Sequence, residues 1–281
     1  MSEMSQILVF QTDSDIVKNA YQSKDNYLIE YDESQSKDHC AIYFSSNEIY
    51  YPNDEKVFQR SILEQNKFEW FGTRVPYAHK HIFVRDIQKQ WYLTGVNSSI
   101  DSPEKLTEFL KAETEGYKIT TLGSSAGGFA AVLFGSLLKA RLMLSFNGQF
   151  QVHSLLNTSK EAINPVIFRF KQANKLLVYF DAKPFIFEGG HIFYFYSNGS
   201  GWDCEQREHI EDKNINIIEF ATAHHGIPFL KCNLPAILKM SKEELLVLSG
   251  KVFSPLIFSI KRVGVAKTLN GLYEQIRKKY L

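Results

Sequence analysis

The segment Leu122-Gly123-Ser124-Ser125-Ala126-Gly127-Gly128 contains the pattern G-x-S-x-G, with Ser125 between Gly123 and Gly127. Glycines at those two places permit close packing around a sharp strand-to-helix turn, which thrusts the serine hydroxyl outward. The chemistry that uses such a turn is nucleophilic attack on a carbonyl carbon. The N–H of Ala126, at the start of the following helix, is then a donor to the oxyanion. A Gly-rich structural turn or an anion-binding loop is the competing use of the same letters. GSSAGG lacks the Lys-Ser/Thr that ends a phosphate loop and does not match the dinucleotide pattern G-x-G-x-x-G.

A serine hydroxyl needs a base, and Ala221-Thr222-Ala223-His224-His225-Gly226 follows a late strand candidate. His225, directly before Gly226, is the first choice, with His224 as the alternative base. Adjacent side chains in a loop diverge, so one of the two is expected to reach Ser125. The acid that fixes the imidazole tautomer is assigned to Asp203, on a loop containing Gly199 and Gly201. Glu205 is its nearest substitute, followed by Asp181 and Glu188, and capping of the next helix is the non-catalytic use of Asp203. The order nucleophile, acid, base is the one expected of an α/β-hydrolase. Ser45-Ser46-Asn47 follows an earlier strand, so the Ser46 N–H is the second expected oxyanion donor and Asn47 a substrate contact; a simple Asx/Ser turn is the alternative. Arg85 and Asp86 end another strand. Arg85, Trp91 and Tyr92 are expected at the substrate, the last two as a stacking wall, or else Arg85 and Asp86 form an internal pair. Asp86 is also an alternative acid.

Positioning those side chains requires strands that share an edge. Short strands are expected at ILVF (7–10), NYLIEY (26–31), AIYF (41–44), KHIFVRD (80–86), YKITTL (117–122), RLMLSF (141–146), LLVYF (176–180), HIFYFYS (191–197) and INIIEF (215–220). Between them, SPEKLTEFLKAETE reads as a helix capped by Asp101 or Ser102, with Pro103 in its first turn. FAAVLFGSLLKA (129–140) reads as a buried helix, CEQREHIEDK (204–213) as a short one, and IPFLKCNLPAILKMS (227–241) as helical. This alternation predicts an α/β fold: a mostly parallel sheet with helices on both faces. One domain over 1–281 is expected, with a cap-like excursion at 148–190 and a C-terminal helical extension at 242–281.

Bulk properties narrow the partners. Lys+Arg 32 against Asp+Glu 31 leaves a charge of +1, with no broad footprint for nucleic acid. The three cysteines, Cys40, Cys204 and Cys232, lack metal-ligand spacing and are too few for a disulfide framework. The start MSEMSQILVFQTDSD is not a basic leader feeding an apolar stretch, and no run reaches the length needed to span a bilayer. A cytoplasmic location is the expectation. The tail mixes Leu256, Ile257 and Phe258 with Lys261, Arg262 and Lys267. It offers either a peripheral contact to an anionic membrane or partner protein, or a strap packed on its own domain.

Over Ala41 to Leu238 the pattern resembles the α/β-hydrolase superfamily. Gly123-Ser124-Ser125-Ala126-Gly127 is similar to its nucleophile elbow, Asp203 to its acid and His225 to its base. FSSN, FVRD with WYLTG, LGSSAGG and HHGIPF also resemble hydrolase-like proteins of bacterial surface-glycan machinery, some of which are esterases or glycan O-acyltransferases. The resemblance implies a serine acyl hydrolase acting through an acyl-enzyme on a small-molecule or glycan ester, without metal or organic cofactor. A glycan O-acyltransferase and a non-enzymatic binding protein of the same fold are the alternatives.

Overall fold

Short runs of β-branched and aromatic residues, bounded by polar turns, form the strands of the computed structural model, which describes residues 7–280. They are β1 (Tyr27–Tyr31), β2 (His39–Phe44), β3 (Lys80–Val84), β4 (Lys118–Ser124), β5 (Leu142–Phe146), β6 (His191–Ser197), β7 (Asn216–Phe220) and β8 (Lys251–Phe253). Across the sheet the order is β1-β3-β2-β4-β5-β6-β7-β8. β1 runs antiparallel to β3, and every other pair is parallel. The longer helices are α1 (Asp15–Ser23), α2 (Pro103–Glu113), α3 (Ala126–Leu137), α4 (Gly201–His209), α5 (Lys242–Leu248), α6 (Pro255–Val263) and α7 (Val265–Tyr280).

Side-chain alternation splits the core into two layers. Ile42 and Phe44 of β2, Met143 of β5 and Tyr194 of β6 face α3 and Leu106 and Leu110 of α2. Their neighbours Tyr43, Leu144 and Phe195 face the other way, onto Ile237, Leu245 and Phe258. Both faces of the central strands are therefore covered, which is why β2, β3 and β5 read as continuous apolar runs. From Ala126 to Ser136, α3 is buried on all sides. Gly135 lets it close on the sheet: a Cβ there would lie 2.6 Å from Thr121 Oγ1 and 2.8 Å from Met143 Sδ. A mostly parallel sheet, helices on both faces and a central strand ending in the Gly123–Gly127 turn make the architecture α/β-hydrolase-like.

Several local expectations are corrected. ILVF is not a strand: residues 7–9 are irregular and Phe10 opens a helical turn, Phe10–Asp13. LLVYF is helical, through Asn174–Leu177 and Val178–Phe180, because Val178 is exposed and the segment has no strand beside it. Within 227–241 helical structure is confined to a 3-10 turn, Lys231–Asn233, running into Leu234–Leu238, where Pro235 occupies the first turn, the one place in a helix that tolerates it. The extension at 242–281 is not wholly helical, since β8 adds an eighth strand beside β7. Residues 148–190 form a chain of short helices. Val152, Val166, Ile167 and Phe180 from this segment join the core; Arg169 ties it to the N-terminal turn through Asp13 at 2.8 Å and is braced within the segment by Glu161 at 3.0 Å.

Candidate active site

β4 ends at Ser124 and α3 begins at Ala126, so the whole change of direction falls on Ser125. Its φ of 51° and ψ of −122° are costly for a residue with a side chain, on the order of 1–3 kcal/mol. The neighbours hold it there. Its N–H donates to Phe146 O at 3.0 Å, and its carbonyl accepts from Phe129 N–H at 3.0 Å. A Cβ on Gly123 would lie 2.2 Å from Gly127 O, and one on Gly127 would lie 2.3 Å from Phe44 O. Glycine is needed at both positions because backbone meets backbone there.

The imidazole arrives from the loop after β7. His224 O accepts from Ser197 Oγ at 2.6 Å and Asn147 Nδ2 at 3.0 Å, which pins that loop to the ends of β5 and β6. His225 is thereby carried to the elbow, with Nε2 2.9 Å from Ser125 Oγ and Nδ1 2.8 Å from Asp203 Oδ1. The Trp202 ring stacks on the imidazole at 5.1 Å. Asp203 is wholly buried. An ionised carboxylate only accepts, so Nδ1 carries the proton and Nε2 is left to accept from the serine hydroxyl. Asp203 lies in the first turn of α4 rather than on a loop, and the cap is Ser200, whose Oγ accepts from Asp203 N–H at 3.4 Å.

Three of the rival acids are engaged elsewhere, and the fourth, Glu188, is exposed. Glu205 accepts from Gln151 Nε2 at 2.9 Å, and Asp181 sits 2.9 Å from His209 Nε2. Asp86 is buried under its own turn, accepting the N–H groups of Gln88, Gln90 and Tyr92. Burial raises its pKa to about 6 despite those bonds. His224 lines the cleft without touching Ser125, and its pKa is lowered by burial and then by Lys231.

Three expectations about substrate contacts are corrected. The Ser46 N–H is taken: it donates to Glu69 Oε2 at 2.7 Å, and Ser46 Oγ donates to Glu69 Oε1 at 2.9 Å. Trp91 and Tyr92 are core residues. Tyr92 is fully buried, its hydroxyl on Ser45 O and Val84 O, and Trp91 Nε1 donates to Gln149 Oε1 at 3.0 Å. Arg85 is buried as well, bonded to Asn26 Oδ1 at 3.1 Å and Lys67 O at 2.9 Å, and it pairs with neither Asp86 nor the cleft. Asn47 does line the cleft.

The cleft in front of Ser125 has a volume of about 960 Å³, walled by Asn47, Glu69, Trp70, Asn164, His224 and Lys231 among others. Sequence reasoning missed Glu69, whose pKa is raised chiefly by burial. It missed Gln149 too, although Asn147-Gly148-Gln149 follows β5 at the same sheet edge as the elbow. Trp91 fixes the Gln149 amide so that Nε2 lies 3.5 Å from His225 Nε2. Lys89 is buried beside the cleft between Tyr50 O and Asn53 Oδ1, and burial lowers its pKa to about 8. A smaller cavity, about 310 Å³, opens at the opposite ends of β2, β4 and β5, beside Lys118 and Arg141. Among the described residues, no group of three or more His, Cys, Asp or Glu side chains is arranged to hold a metal ion.

No family model matches the chain, and no curated protein does. Among solved structures, the capsule O-acetyltransferase of Neisseria meningitidis serogroup A is similar over 70% of this chain and 82% of that one, at 14% identity and a TM-score of 0.49. Acetyl xylan esterase 1 from Thermoanaerobacterium sp. is similar over 79% and 78%, at 13% identity and a TM-score of 0.48. An S-formylglutathione hydrolase from Agrobacterium tumefaciens is similar over 69% and 79%, at 10% identity and a TM-score of 0.42. These likenesses concern the course of the backbone.

Proposed function

We propose that the chain is a serine acyl hydrolase that acts through an acyl-enzyme on Ser125, with His225 as general base and Asp203 as the group that orients it. The observation behind this reading is the continuous relay of 2.9 Å from Ser125 Oγ to His225 Nε2 and 2.8 Å from His225 Nδ1 to Asp203 Oδ1. As Ser125 Oγ bonds to the carbonyl carbon of an ester or thioester, its proton passes to Nε2. The imidazolium is stabilised by the ionised Asp203. The carbonyl electron pair moves to oxygen, and the Ala126 N–H at the head of α3 stabilises that charge. Collapse expels the alkoxide or thiolate, which takes the proton from Nε2. Water, deprotonated by the same nitrogen, then releases the acid. Gln149, buried and with Nε2 3.5 Å from His225 Nε2, helps position the imidazole. With Glu69 in place, Ser46 contributes nothing to the oxyanion.

A second reading, transfer of the acyl group to a glycan hydroxyl, is favoured by the walls of the cleft. Asn47, Asn53, Asn164 and Glu69 offer amide and carboxylate partners for hydroxyls, and the Trp70 ring, with its Nε1 tied to Phe44 O at 3.3 Å, offers a flat apolar one. Release of p-nitrophenol from p-nitrophenyl acetate, with and without added oligosaccharide, tests both. The expected result is turnover that Ser125→Ala and His225→Ala abolish without loss of fold. Acylated sugar in excess over free acetate marks the acyltransferase. Wild-type turnover in folded Ser125→Ala contradicts the proposal.

A further inference from the structure

The last two helices carry most of their apolar residues on the side away from the domain. α7 packs through buried Thr268, through Gly271 and through partly buried Gln275; a Cβ on Gly271 would lie 2.6 Å from Cys232 Sγ. Its apolar residues Val265, Leu269, Leu272, Tyr273 and Ile276 follow the spacing i, i+4, i+7, i+8, i+11, which is one face of a helix. That face is in solvent, with Leu269 at 59% and Tyr273 at 62% exposure. α6 repeats the arrangement. Phe258 and Ser259 point inward, Ser259 Oγ accepting from Asn233 Nδ2 at 2.7 Å, while Leu256, Ile257 and Ile260 are exposed. Gly264, at φ 85°, joins the two helices.

Charge narrows the occupant. From Lys251 to the end, the chain holds seven Lys and Arg against a single acid, Glu274, although the whole chain is within one charge of neutrality. Glu274 is itself paired with Arg277 at 2.8 Å. Lys261, Arg262 and Lys267 are exposed, so long cationic stems accompany both apolar faces and can keep their charges at a polar boundary. A second copy meeting the same surface would oppose like charges. An apolar stripe with cations beside it matches a lipid interface whose headgroups are anionic. No helix among the described residues is long and apolar enough to cross a membrane.

We infer that α6 and α7 together form an interfacial element that seats the protein on an anionic lipid surface. Both helices rest on the turn Lys231–Asn233, through Ser259 to Asn233 and Gly271 to Cys232, and Lys231 is a wall of the cleft. Seating these helices therefore holds the cleft near the headgroups. The inference does not depend on the acyl-transfer chemistry.

Flotation of the full chain with vesicles tests it. The protein floats with vesicles of phosphatidylcholine and phosphatidylglycerol in equal parts, stays behind with pure phosphatidylcholine, and is released by high salt. Lys261→Gln and Lys267→Gln each weaken binding roughly five-fold. The pair Leu269→Gln with Leu272→Gln abolishes it, while far-UV circular dichroism and any turnover of a soluble ester stay unchanged. No flotation with the anionic vesicles, or equal flotation with both kinds, overturns the inference. So does a wild-type dimer in sedimentation that the Leu269→Gln, Leu272→Gln pair converts to monomer, because a second copy is then the occupant.

Discussion

Replacing Asp203 by asparagine changes one atom in a buried place, and its consequence can be followed atom by atom. Asp203 Oδ1 accepts the Nδ1 proton of His225 at 2.8 Å, while Oδ2 and the nearby Tyr194 hydroxyl have no hydrogen-bond partner among the described residues. An asparagine can present either end to the ring. With its NH2 toward Nδ1, it demands the tautomer protonated on Nε2, and that proton then faces the Ser125 hydroxyl, where no base remains. With its oxygen toward Nδ1, the tautomer survives, but the imidazolium formed during attack has lost its counter-charge. Either arrangement removes about 10³–10⁴-fold from kcat, on the order of 4–5.5 kcal/mol of barrier. The assay is steady-state hydrolysis of p-nitrophenyl acetate over pH 5 to 9, beside a thermal melt that shows the fold is kept. A folded Asp203→Asn protein within ten-fold of wild type at every pH would refute the relay.

Three further perturbations separate other parts of the account. Gly127→Ala puts a Cβ 2.3 Å from Phe44 O, so urea unfolding should show a loss of about 2–3 kcal/mol, whereas Gly201→Ala meets nothing within 4 Å and should stay within about 0.5 kcal/mol of wild type. Equal effects would mean that the elbow is looser than its contacts imply. Glu69→Gln removes a carboxyl group from the wall of the cleft in front of Ser125, so kcat/KM for a neutral ester should rise several-fold if that group opposes the oxyanion; an unchanged or lower value makes Glu69 only a bracket for Ser46. Asp86, with a pKa of about 6 against 3.8 when unfolded, binds its proton more tightly in the fold. Its contribution is therefore complete below pH 4 and lost as pH rises through 6, amounting to roughly 3 kcal/mol across that window. The wild-type minus Asp86→Asn difference in unfolding free energy should fall between pH 4 and 7, and a flat difference would contradict the burial argument.

The sheet was readable because its strands are short, apolar and bounded by turns. The elbow was readable because two glycines around a serine, between a strand and an apolar helix, have few other uses. That Asp203 and His225 would lie near Ser125 could be read from chain order, since each follows a strand at the same edge. Inside and outside were harder to tell. Trp91 and Tyr92 have amphipathic rings that suit a cleft or a core equally, and only the left-handed backbone at both positions turns them inward, with φ of 54° and 61°. Ser46 read as a free donor because its partner, Glu69, comes from an irregular stretch with no periodicity to place it. LLVYF has strand composition, yet composition cannot supply a neighbouring strand. The tail's mixture of apolar and basic residues was visible, but which face packs depends on the burial of Thr268 and on Gly271 fitting against Cys232.

In the proposed mechanism the Ser125 hydroxyl, held at a strained bend beside His225 Nε2, is the nucleophile. Intact-mass spectrometry of the full chain after exposure to a small fluorophosphonate measures this without knowledge of the substrate. A single adduct is expected on the peptide containing Ser125, absent from Ser125→Ala and strongly slowed in His225→Ala. Folded wild-type protein that takes up no adduct, or takes it up at another residue, would contradict it.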